Sequence, residues 1–489
     1  MPHLYRWISL FGFTALVGLS PAVWAQGDEP SLSEPDTEME SVPPAVEPEP
    51  DPAPEPEVEA GPSAVELYNQ GVAEYEAGQL SAAAARFSAA IVANSDFAPA
   101  YVYRGRVLIQ QGRLESALSD LNQAIRLDPT NGTAYFLRGN VYYRQGQIDL
   151  AQADFNTALE YDTESPQALL YRGFIDAEAG RTELAIEDFD AALALDPNLI
   201  DAYLLRGFAH EKTGNNEAAI ADFSRAIEID NRRAVAYMGR GVAYYQIDLL
   251  EPALDDLNTA IQFKPDLARA YVNRSYLYAN SGRINRAVED LNRAIQLDPE
   301  LTEAYLNRGI LLSSLGQVDA SQRDFARALQ LEPESAEAFK AKGDALMAAG
   351  DEPGAIADYS EAIFIDVDYA EAYKARGDAR LAIEDLPGAI ADYSEAIDLR
   401  PAYIEAYAAR GEAYARSGQA RLANADLTQV IVRDPRNPMP EVYYNRGLAR
   451  IGLGDLAGAR QDLRQAADLY LQTGEAEGYR RSLSRLNQL

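Results

Sequence analysis

Residues 202–230 read A-Y-L-L-R-G-F-A-H-E-K-T-G-N-N-E-A-A-I-A-D-F-S-R-A-I-E-I-D, and the pattern recurs along most of the chain. Steps of 34 residues from Gly207 land on Gly71, Gly105, Gly139, Gly173, Gly241, Ser275, Gly309, Gly343, Gly377 and Gly411. A twelfth copy follows at Gly447 after a two-residue insertion. Within each copy, apolar residues recur at helical spacing on two segments joined by a turn, with Gly112, Gly146, Gly180 and Gly214 among the turn residues. Proline occupies one column (Pro129, Pro197, Pro265, Pro299, Pro333, Pro401 and Pro435), where it ends one helix and permits the next. The unit is a helical hairpin, and a tandem run of hairpins buries a continuous core between neighbours.

The copies resemble the tetratricopeptide repeat. They carry an aromatic residue or Leu at position four, Gly at eight, Ala at twenty and twenty-seven, and often Pro at thirty-two. In the quoted copy the small residues are Gly207, Ala219 and Ala226, which let paired helices approach, and Tyr203 and Phe223 fill the spaces left. Ser275, Ser321 and Val430 are modest departures. The resemblance implies an all-α, right-handed superhelical solenoid of helix-turn-helix repeats that binds a protein or peptide in a concave groove.

In that family the groove is lined by positions two, five, nine, twelve and thirteen of the first helices. Over repeats three to eight these positions hold Phe136, Tyr143, Leu170, Phe174, Leu204, Phe208, Tyr245, Tyr276, Leu306 and Ile310, an apolar and aromatic stripe. Repeats nine and ten change character, with Lys340 and Lys374 followed by Asp344 and Asp378. The resemblance therefore implies a partner segment with apolar anchors and, towards its far end, polar contacts. The two aspartates oppose capture of a terminal carboxylate.

Two further columns stand out. The residue before the Gly column is Arg, or once Lys342, in eleven repeats, and the residue sixteen further on is Asp in the same eleven, from Arg104 and Asp120 to Arg446 and Asp462. Repeat one has Gln70 and Arg86 instead. The joint absence predicts a bridge between the two helices of one repeat, worth about 0–1 kcal/mol if exposed.

The 489 residues carry a formal net charge of −33, which argues against nucleic acid and anionic lipid as partners. With no cysteine and only His3 and His210, thiolate chemistry and a multi-histidine metal site are excluded within one chain. No phosphate-cradling loop or catalytic constellation recurs, so no cofactor and no enzymatic activity are expected.

Residues 1–25 read as a cleaved signal peptide: Arg6, an apolar run from Ile8 to Leu19, then Val23 and Ala25 before Gln26. Export to the periplasm or beyond the cell is the corresponding expectation, with no membrane insertion of the mature chain. Residues 26–62 form an acidic, proline-rich linker with twelve acidic residues and no basic one, a composition expected to stay extended and disordered. Repeats span 63–473, and 474–489 read as an end helix covering the last repeat. The function expected is a non-catalytic interaction scaffold or assembly factor; the alternative is a structural protein of the cell envelope that self-associates into a homo-oligomer.

Overall fold

The structure, a computed structural model, describes residues 62–489. The expected signal peptide and nearly all of the linker lie outside the described residues. Among the described residues there are twenty-five helices, as twelve pairs and one more. The first pair is α1 (Ala64–Glu76) with α2 (Leu80–Ala93), the fifth is α9 (Ile200–Lys212) with α10 (Asn216–Ile229), and the twelfth is α23 (Pro440–Gly452) with α24 (Leu456–Thr473). The additional helix is α25 (Ala476–Leu486).

Each pair turns on a residue with left-handed backbone. Gly214 has φ 77° there, and Asp248 (φ 61°) and Glu384 (φ 66°) hold the same place in repeats six and ten. Most second helices end at an extended residue, Asp in all of these but the first, where it is Asn94. In several of these the carboxylate accepts the amide two residues on, as Asp128 does from Thr130 and Asp196 from Asn198. The next first helix then begins.

Pairs close where glycine meets a large side chain. A Cβ at Gly207 would lie 2.8 Å from the Phe223 ring, and one at Gly343 2.6 Å from the Tyr359 ring. The Ala columns, including Ala219 and Ala226, are fully buried beside them. Where Ser275 replaces Gly, the residue sixteen on is Leu291, not an aromatic.

The chain divides into two compact units, with the boundary between Asn273 and Arg274. Up to Asn273 the core runs from Val102 to Ala209 as one cluster built around Leu121, Phe155 and Phe189, flanked by clusters around Phe87 and Phe223. From Arg274 the buried apolar residues form smaller clusters, one for each pair of adjoining repeats or part of it, around Phe325, Tyr359, Tyr393, Leu427 and Leu463. No helix among the described residues is long and apolar enough to cross a membrane.

Candidate protein-binding face

A first helix in this stack packs on its own partner, on the second helix of the repeat before and on first helices of adjoining repeats. Its inward positions are therefore divided between packing and the surface. The structure divides the expected groove residues in that way. Phe136 is buried against the rings of Phe155 and Tyr171, at 5.9 and 5.8 Å. Leu170 and Leu204 are 1% and 0% exposed, and Leu306 is buried with Phe325 and Ala338. Phe174 is buried too, 5.8 Å from the Tyr143 ring. These side chains belong to the core between repeats and are not laid open for a partner.

Tyr143, Phe208, Tyr245, Tyr276 and Ile310 are half-buried. Phe136 and Tyr143 both meet the Tyr171 ring, and Phe174 meets Tyr143. Phe208 turns instead onto Phe223, ring centroids 4.9 Å apart.

The polar stretch is also engaged within the fold. Lys340 is buried and donates to Asp344 Oδ2 at 2.8 Å, while Tyr359 donates to Asp344 Oδ1 at 2.9 Å. Repeat ten repeats the arrangement: Lys374 to Asp378 at 2.6 Å and Tyr393 to Asp378 at 2.9 Å. Burial raises the Asp344 carboxyl above the usual carboxylate range, against the opposing pull of Lys340. The aspartates are thus acceptors for tyrosines that replace Phe or Leu in the column facing the glycine. Tyr359 and Tyr393 coinciding with Asp344 and Asp378 was the signal in the sequence.

The paired columns do meet within each repeat. All eleven bridges form, at 2.6–2.8 Å, from Arg104–Asp120 to Arg446–Asp462. They are less exposed than expected: the Asp side chains are at most 11% exposed and the cations at most 28%. Repeat one substitutes Arg86 to Glu74 at 3.0 Å.

Sequence reasoning missed a third arm. Arg138 gives Nε and Nη2 to Asp154, at 2.7 and 2.8 Å, and Nη1 to Asn122 of the preceding repeat, at 2.7 Å. Arg104 reaches Ser88, Arg240 reaches Ser224 and Arg206 reaches Asp190 in the same way. The guanidinium fork thereby ties three helices of two repeats. Hydrogen bonding to Asp154 holds the Arg138 proton more tightly than usual. His210 Nε2 stands 3.9 Å from Asp222, beside the Arg206 bridge.

Models of the TPR repeat match residues 105–146, 212–248 and 377–418, and models of the tetratricopeptide repeat match 275–343, 136–200 and 408–472. The chain belongs to the tetratricopeptide-repeat family. Proteins of this family mediate protein–protein interaction and bind peptides, on a fold that is typically a non-catalytic scaffold. Among solved structures, YrrB, described as a TPR protein with an unusual peptide-binding site, is 29% identical over 38% of this chain and 95% of its own, with a TM-score of 0.34. A tetratricopeptide repeat protein from Parabacteroides merdae is 24% identical over 48% of this chain and 93% of its own, TM-score 0.38. Yeast Tom70 is 16% identical over 87% and 95%, TM-score 0.41. No curated protein matches this chain.

Proposed function

We propose that this tetratricopeptide-repeat protein is a non-catalytic scaffold or assembly factor of the cell envelope, periplasmic or secreted, which holds a segment of a partner protein against the face of its first helices. The observation that carries the reading is the array itself: twelve tandem repeats of a family whose members bind proteins and peptides. The half-buried Tyr143, Tyr245 and Tyr276 supply apolar area with polar tips and Phe208 supplies apolar area alone, the chemistry suited to anchoring a segment. The leader-like residues 1–25 support export.

The full chain and a variant with Tyr143→Ser, Tyr245→Ser and Tyr276→Ser are used to capture partners from an envelope extract. A protein retained by the wild type and lost from the folded variant is the expected result. Equal retention would move binding off the first-helix face. Recovery of the chain's own oligomer alone would replace the scaffold with a self-associating structural protein. Export has its own readout: both tryptophans, Trp7 and Trp24, lie in the leader, so the secreted chain is expected to show no tryptophan emission.

A further inference from the structure

In the unit from Arg274 onward, the joint between repeats eight and nine departs from its neighbours in several independent ways. Repeat eight is α15 (Thr302–Ser314) and α16 (Val318–Leu331); repeat nine is α17 (Ala336–Ala349) and α18 (Glu352–Ile365). At other joints an arginine holds both oxygens of its own Asp and reaches back to a polar side chain of the previous repeat. Arg308 reaches Asn292, Arg376 reaches Ser360 and Arg410 reaches Ser394.

Repeat nine has Lys342 in that column, with a bond of 2.6 Å to Asp358 Oδ1. An ammonium is a compact donor and cannot fork around a carboxylate as a guanidinium does. Asp358 Oδ2 is buried and has no hydrogen-bond partner. The residue sixteen before Lys342 is Ala326, which offers no side-chain acceptor at all.

A second polar contact is missing on the same side. Gln322 Nε2 on α16 is buried without a partner. Its counterpart in repeat three, Gln152, donates to Asp176 of the following repeat at 2.9 Å. In repeat nine the place of Asp176 is taken by Leu346. The apolar cluster at this joint is rich in alanine, with Ala338, Ala341 and Ala345 beside Leu306 and Phe325, as are those at the next two joints, so apolar packing does not set it apart. Single amide atoms of Asn307 and Asn424 are also unpaired. The arginines of repeats eight, eleven and twelve keep all their bonds: Arg308 to Asp324 and Asn292, Arg410 to Asp426 and Ser394, Arg446 to Asp462 and Thr428.

We propose that the array from Arg274 carries a hinge between repeats eight and nine, where α16 and α17 part before any other neighbouring repeats of that unit. Closing this joint strands a carboxylate oxygen and an amide that opening returns to water. Opening the other joints of the unit breaks a made bond from the arginine to the repeat before. Burial raises the Asp358 carboxyl above its ordinary value, the direction expected for a charge with an incomplete set of partners. The hinge does not depend on the proposed binding role.

Hydrogen exchange of the full chain, read by mass spectrometry on peptides covering each joint, tests it. Amides at the end of α16 and the start of α17 are expected to exchange about tenfold faster than those at the joints between repeats nine and ten and between ten and eleven. Ala326→Asn with Lys342→Arg supplies the missing arm and acceptor at an exposed helical position, and should slow the joint to its neighbours' rate. Ser394→Ala with Arg410→Lys should move a second fast joint to repeats ten and eleven. Equal exchange at the three wild-type joints, or a repaired joint that exchanges no more slowly, would overturn the hinge.

Discussion

Arg138 and Asp154, sixteen residues apart in sequence, share two parallel hydrogen bonds of 2.7 and 2.8 Å, and the arginine's remaining arm reaches Asn122 of the repeat before. Asp154 is 8% exposed and Arg138 18%, so the two halves of the bridge are not equivalent. Removing the arginine leaves a nearly buried carboxylate unpaired; removing the aspartate leaves a cation that still has Asn122 and water. Arg138→Ala is expected to cost about 3 kcal/mol, and Asp154→Ala less. A double-mutant cycle in denaturant should give a coupling of about 2 kcal/mol, beyond the exposed-pair value. Coupling near zero would mean that the bridge is ornamental to the stack.

The contact between Gly207 and Phe223 supports a prediction about compensation. A Cβ at residue 207 would sit 2.8 Å from the ring, so Gly207→Ser forces the ring or the helix to move, at a cost of about 1–3 kcal/mol. The chain already contains the matching solution, Ser275 with Leu291 sixteen residues on. Adding Phe223→Leu to Gly207→Ser should recover part of the loss, even though Phe223→Leu alone removes buried ring area. The thermal midpoints of the two single variants and the double variant decide it.

The sequence makes the paired helices and the basic-to-Asp bridge legible because both follow from register. A period of 34 residues places one column against another in every copy, and the joint exception in repeat one fixes which columns meet. The first-helix face was less legible. Leu204 and Phe208 lie one helical turn apart and both resemble groove residues, yet Leu204 is fully buried and Phe208 is half-buried. What separates them is the bulk of neighbouring repeats, which a single repeat's pattern does not encode. The arginine's third arm escaped notice for a related reason: its acceptors are Ser, Asn, Asp or Thr, a column whose identity varies while its chemistry stays constant.

The end helix α25 closes the last repeat. A Cβ at Gly478 would meet the Tyr470 ring at 2.5 Å, and Tyr479, Leu486 and Leu489 pack on the cluster of Tyr444, Leu463 and Tyr470. Arg481 donates to Glu441 at 2.7 Å and to the Tyr470 hydroxyl at 3.2 Å. Ending the chain at Gly474 uncovers this surface. The expected result is a lower thermal midpoint and concentration-dependent association in sedimentation; a truncated chain as stable and dispersed as the intact one would show that α25 is no cap.

Repeats eight and nine offer two solutions to one packing problem. Repeat eight fills it with Leu306, Ile310 and Phe325, and repeat nine with Lys340, Asp344 and Tyr359, the aspartate holding both partners at 2.8 and 2.9 Å. Tyr359→Phe alone withdraws a donor from Asp344 while keeping the ring, and should cost about 1–2 kcal/mol. Lys340→Leu, Asp344→Ile and Tyr359→Phe together copy repeat eight, leaving no polar atom of the triad unpaired. Exchanging a desolvated ion pair for packed apolar groups is commonly neutral or favourable, so the triple variant should equal the wild type or exceed it by about 1–2 kcal/mol. Its midpoint should therefore lie above that of Tyr359→Phe. If the triple variant is instead the less stable of the two, the polar triad holds repeat nine together better than an apolar core can.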